Sequence, residues 1–160
     1  MQTERFEIAD ITRRHSVVVV EPEDFALGAH RSVDAESVYK DPRYTLYCFD
    51  PANQAALFVE CDDPEKVEEV PFYYQGQVEQ ATAVVRMPLE VFHRLADESP
   101  GGSNQPILIH SVGRCGSTLL SKVLATVPSV RSLSEPDDLT QLVRLRTQGV
   151  LEDQEIVALL

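Results

Sequence analysis

The sequence predicts an α/β protein: a parallel sheet that begins near residue 104, preceded by a smaller α+β segment. Three observations point there. Residues 106–133 read strand, loop, helix, strand, a βαβ unit that closes as a right-handed parallel crossover. The first hundred residues mix β-branched runs with helix starts. Between them lies Ser99-Pro100-Gly101-Gly102-Ser103-Asn104, a cluster of turn and linker residues. The expected division is therefore an acidic α+β segment over 1–100 and the start of an α/β domain over 101–160.

In the first segment, Val17 to Val20 is a β-branched run closed by Glu21-Pro22, a strand signal. Tyr44 to Phe49 and Ala56 to Glu60 are two further strand-like runs. Asp50-Pro51-Ala52-Asn53 between them is turn chemistry, so the pair reads as a hairpin. Asp63-Pro64-Glu65 opens a helix, with an acid at the cap and proline at the first position. Tyr74, Val78, Ala81 and Val85 share one helical face. A further short helix starts at Pro88, with Val91, Phe92 and Leu95 inward.

The second segment is more regular. Pro106 to His110 is a short apolar strand, and Ser111 to Gly116 a small-residue loop. Ser117 to Thr126 is a helix with Leu119, Leu120, Val123 and Leu124 as its buried stripe. Pro128 stops it, and Val130 to Leu133 is the second strand. A last helix opens at Glu135-Pro136-Asp137-Asp138, runs to about Arg146 and stops at Gly149.

Charge narrows the function. The chain has 160 residues and a formal charge of −12, of which 1–100 hold 9 basic and 20 acidic side chains. Such a balance argues against non-specific nucleic-acid or anionic-membrane binding. The apolar runs are too short for a membrane span, and the polar N-terminus has no signal region, so a cytoplasmic protein is expected. Cys48, Cys61 and Cys115 are too scattered for a disulfide framework or a structural zinc site.

The loop Ser111-Val112-Gly113-Arg114-Cys115-Gly116-Ser117-Thr118 carries the chemistry. Gly113 and Gly116 let the backbone approach a ligand closely. The following helix aims its free N–H groups and positive dipole end into the loop. Ser117 and Thr118 add hydroxyl donors, and Arg114 adds a guanidinium fork suited to phosphate or sulfate. It is not a Walker A loop, because no lysine stands beside Gly116.

Arg114-Cys115-Gly116-Ser117-Thr118-Leu119 resembles the 5′-phosphosulfate loop of the sulfotransferase family, except that serine is usual at the position of Cys115. Ser134-Glu135-Pro136 follows, with Glu135 placed 21 residues after Arg114. This is similar to the tyrosylprotein and bacterial-type branch of the family, where a glutamate at this place is the general base. The resemblance covers about residues 106–140. It implies a P-loop-like three-layer parallel sheet, of which this chain would hold only the N-terminal part. It also implies a donor, 3′-phosphoadenosine 5′-phosphosulfate (PAPS), and needs no metal. Gly113, Arg114, Cys115, Gly116, Ser117 and Thr118 would bind the donor. Arg114 would stabilise charge on its bridging oxygen, and Glu135 would take the proton from a hydroxyl or amine acceptor. The family's later Arg and Ser for the 3′-phosphate have no counterpart before Leu160.

Two other classes compete. A kinase or NTPase would need the missing lysine and an Asp for Mg²⁺. A non-catalytic module would use the acidic first segment to bind a partner. Among single residues, Asp137 and Asp138 read as solvated partners of a helix dipole. Cys115 reads as a stand-in for serine, and His110 as a packed or solvated histidine. Glu65, Glu68 and Glu69 read as a solvated helix face, and Phe72-Tyr73-Tyr74 as core.

Overall fold

A computed structural model describes residues 2–12, 19–99, 107, 109 and 115–159. Its sheet has five strands: β1 (Glu4–Ile11), β2 (Phe25–Ser32), β3 (Tyr44–Asp50), β4 (Ala55–Cys61) and β5 (Ala81–Pro88). Their spatial order is β2-β1-β5-β4-β3, and every neighbouring pair is antiparallel. The helices are α1 (Ala35–Lys40), α2 (Pro64–Glu69), α3 (Tyr73–Gln80), α4 (Leu89–Glu98), α5 (Ser117–Leu124), α6 (Asp137–Thr147) and α7 (Asp153–Leu159).

The predicted parallel sheet is therefore corrected. All five strands come from residues 4–88, and the sheet is antiparallel. Val130 to Leu133, expected as a second parallel strand, takes no strand conformation. Ile107 and Ile109 are likewise outside any strand, and both are exposed. The other residues of the 106–110 run lie outside the described ones. The physical reason is pairing. A short apolar run becomes a strand only where a neighbour takes its N–H and C=O groups, and the first segment supplies its own neighbours.

The β3–β4 hairpin forms where the turn chemistry put it. Asp50 Oδ1 accepts the N–H of Asn53 at 3.1 Å, and Gln54 turns the chain with a positive φ of 49°. β4 is buried at all seven residues because it has strands on both sides and helices on both faces. On one face Leu57, Val59, Cys61 and Val84 meet Val67 of α2 and Tyr73 and Tyr74 of α3. On the other, Ala56, Phe58, Val85 and Met87 meet Val38 of α1, Leu95 of α4 and Leu142 of α6. A register shift between Leu46 and Cys48 puts both Tyr47 and Cys48 on the first face. Gly76 lets α3 lie against α2: a Cβ there would sit 2.4 Å from the Val67 carbonyl oxygen.

Three further readings are corrected. The helical face Tyr74–Val78–Ala81–Val85 is split, since α3 ends at Gln80 and Ala81 and Val85 belong to β5. Val19 and Val20 are in no strand, although Val20 is fully buried; Val17 and Val18 lie outside the described residues. The predicted buried stripe of α5 is largely exposed, with Leu119 at 69% and Val123 at 55%. Phe72, Tyr73 and Tyr74 do pack in the core region, as expected.

The second segment is held to the first mainly by α6. Leu142 enters the core, and Gln141 caps the free edge of β3. The Phe49 N–H donates to Gln141 Oε1 at 2.7 Å, and Gln141 Nε2 donates to the Phe49 carbonyl at 2.9 Å. One side chain thus does the work of a sixth strand at that point. Asp137 Oδ2 accepts the Val20 N–H at 2.8 Å, and Arg144 pairs with Glu21.

Candidate functional site

The loop on which the sequence places the chemistry leads into α5. Gly113 and Arg114 lie outside the described residues. Cys115 and Gly116 form a bend, and α5 starts at Ser117. Gly116 has φ of 91°, a left-handed value that strains any residue with a Cβ. The chain thus turns at glycine directly into the helix, and Ser117 and Thr118 occupy its first turn. Cys115 is exposed and in no disulfide. The other thiols are poor nucleophiles: burial pushes Cys48 well up and Cys61 up to about 12.

Thr118, Ser121 and Lys122 of α5 line a cleft of about 270 Å³. Ser132 and Ser134 line it too, and the Ser121 and Ser132 hydroxyls are 2.8 Å apart. Its far wall is acidic, carrying Glu65, Glu68 and Glu69 of α2. The Arg131 Nε donates to Glu68 Oε1 at 2.7 Å, which offsets one of these charges.

A second cleft of about 300 Å³ lies between β3 and the segment leading into α6. Tyr39, Tyr44 and Tyr73 line it, together with Arg131, Leu133, Pro136 and Asp138. Residues 131–136 therefore form a shared wall, with Ser132 and Ser134 on one cleft and Arg131, Leu133 and Pro136 on the other. The N–H of Tyr73 donates to the Ser134 carbonyl at 2.8 Å and ties this wall to α3.

Glu135 stands in that wall, exposed, with φ of 53°. A left-handed glutamate before a proline is costly, on the order of 1–3 kcal/mol. Asp138 departs from the solvated reading. Burial pushes its carboxyl up to about 6, against the backbone N–H bonds it accepts, and Asp137 adds repulsion. Asp137 is not merely solvated either, since it accepts the Val20 N–H. The only signal for either role was their place in the first turn of α6. Glu65, Glu68 and Glu69 are exposed as read, and His110 lies outside the described residues.

Among the described residues, no group of His, Cys, Asp and Glu side chains is arranged to hold a metal, and no helix is long and apolar enough to cross a membrane. Compared with models of protein families, with curated proteins and with solved structures, the chain finds no match.

Proposed function

We propose that the chain carries the donor-binding element of a PAPS-dependent sulfotransferase that acts on a hydroxyl or amine acceptor. The observation that supports it is the left-handed Gly116 leading directly into α5, with Ser117 and Thr118 in the first turn. A helix entered this way presents free N–H groups and hydroxyls to an anion. The reading rests on loop and helix alone and takes nothing from the antiparallel sheet. The acidic wall of α2 disfavours an anion deep in the first cleft, so the phosphosulfate belongs at the Gly116 end. In the transfer, the bond from sulfur to the phosphate's bridging oxygen breaks and a bond from sulfur to the acceptor forms. Adenosine 3′,5′-bisphosphate leaves with Arg114 against its charge, and Glu135 takes the acceptor's proton. Sulfuryl transfer of this kind asks mainly for positioning and charge stabilisation.

The test is calorimetric titration with adenosine 3′,5′-bisphosphate and, separately, with Mg-ATP. Binding of the bisphosphate without metal, lost in Arg114→Ala at unchanged thermal stability, is the expected result. Preference for Mg-ATP would point to a kinase or NTPase instead. Indifference to both would favour the second reading, a non-catalytic interaction module. One observation already speaks for that reading: Leu119, Leu120 and Val123 leave an apolar face of α5 uncovered by the described residues.

A further inference from the structure

The two edges of the sheet are finished differently. At β3, Gln141 takes both backbone groups of Phe49. At β2, no group among the described residues bonds the outer side of the strand. β2 is eight residues long, roughly 27 Å at the usual rise, with no proline and no lysine. Residues 28–32 are exposed. An open edge of this length is a template for another strand; the two register shifts in its pairing with β1, at Phe6/Ile8 and Ile8/Asp10, bend it but leave it uncovered by the described residues.

The charges along the strand select the partner. Acids stand in the 3-10 turn just before it (Glu21 at its start, Glu23 and Asp24 within Pro22–Asp24), and bases lie near its C-terminal end (His30, Arg31). Glu21 is taken by Arg144, Asp24 accepts from the Tyr47 hydroxyl, and His30 faces Glu4 at 3.5 Å. Glu23 and Arg31 remain, both exposed and neither in an ion pair with a described residue. Laid antiparallel on itself, with the register centred near Leu27, the strand pairs residues 25–29 of the two copies and directs each copy's Arg31 toward the turn that carries the other's Glu23. A parallel arrangement would set like ends together. We propose that β2 is a self-association edge, at which two copies pair antiparallel about a twofold axis and join their five-stranded sheets into one. Such an interface is self-complementary, so it closes at the dimer.

The experiment is sedimentation of the full chain over a wide concentration range. It is done at physiological ionic strength, where the repulsion between two acidic molecules is screened beyond about 8 Å. The expected result is a monomer–dimer equilibrium that Arg31→Glu and Glu23→Arg each weaken about tenfold and that the double charge swap restores. Hydrogen exchange on the unaltered chain is the second measurement, and β2 amides should slow as concentration rises. A chain that stays monomeric throughout overturns the proposal. So does a dimer that ignores both single variants, or one that the double swap does not restore. A dimer abolished by Leu119→Glu alone also overturns it and places the contact on α5.

Discussion

Gln141 shows how much one side chain can decide. It lies on a helix, is 4% exposed, and satisfies a strand's N–H and C=O together. An amide is the only side-chain group with a donor and an acceptor at the spacing of a backbone partner. Gln141→Ala would leave both Phe49 groups without a partner at a covered edge. Its expected cost is about 2 kcal/mol, read as a lower denaturant midpoint at unchanged slope. Gln141→Glu keeps the acceptor but loses the donor and buries a charge, so it should cost more than alanine. If glutamate is the milder change, Gln141 is not acting as an edge cap. A second buried amide bonds the same strand as a donor only: Gln77 Nε2 donates to Thr45 Oγ1 at 2.9 Å and to the Leu46 carbonyl at 2.7 Å. Both glutamines bond β3, one of the two strands with a neighbour on one side only.

At the scale of elements, α6 is the clasp, and its first turn makes it sensitive to pH. The Asp138 carboxyl has its pKa raised to about 6 by burial. A raised acid is stabilising only while protonated. The folded state is therefore favoured below the unfolded value near 4, and that advantage is lost as pH rises to about 6. Stability measured by urea unfolding should fall across this window by at most about 3 kcal/mol, and Asp138→Asn should flatten the fall. A profile unchanged by the substitution would show that the carboxyl is solvated after all. Elements with local signals were legible in the sequence: the β3–β4 hairpin from Asp50-Pro51, α2 from Asp63-Pro64, α4 after Pro88, and α6 before Gly149. β1 and β2 were not. The alternation in Glu4–Ile11 is masked by its charges, and β1 becomes a strand through β5, some eighty positions away. β5 itself was hidden by coincidence, because Ala81 and Val85 fit a helical period begun in α3. In the candidate site, glycine and hydroxyl spacing showed where a helix would begin. The strained backbone of Glu135 and the burial of Asp138 could not be read, since both depend on how residues 131–138 lie against α3 and β3.

At the scale of the molecule, burial is divided unevenly. Both core clusters are built on the strands of residues 4–88. The second segment adds Leu142, with Leu151, Ile156 and Leu159 at the margin. Its other large apolar side chains, from Leu119 to Leu133, are mostly exposed. Buried area is what resists unfolding, so α5 should open locally at little cost while β4 and β5 open only with the whole protein. Amide exchange should therefore be slowest in β4 and β5, intermediate in α6, and fast throughout α5. Substitution should follow the same division. Leu142→Ala removes a buried side chain of the core cluster that holds Phe49 and Phe58 and should cost about 3 kcal/mol. Leu119→Ala changes a residue that touches mainly solvent and should stay within about 0.5 kcal/mol. If Leu119→Ala instead matched Leu142→Ala, the face of α5 would be covered in solution. Donor binding then gives the deciding comparison. An anion that settles on Gly116 and the first turn must order α5, so saturating adenosine 3′,5′-bisphosphate should slow exchange in α5 while leaving β4 and β5 unchanged. Slowing at α5 without any ligand, growing with protein concentration, would instead tie its apolar face to protein association and favour the interaction module over the transferase.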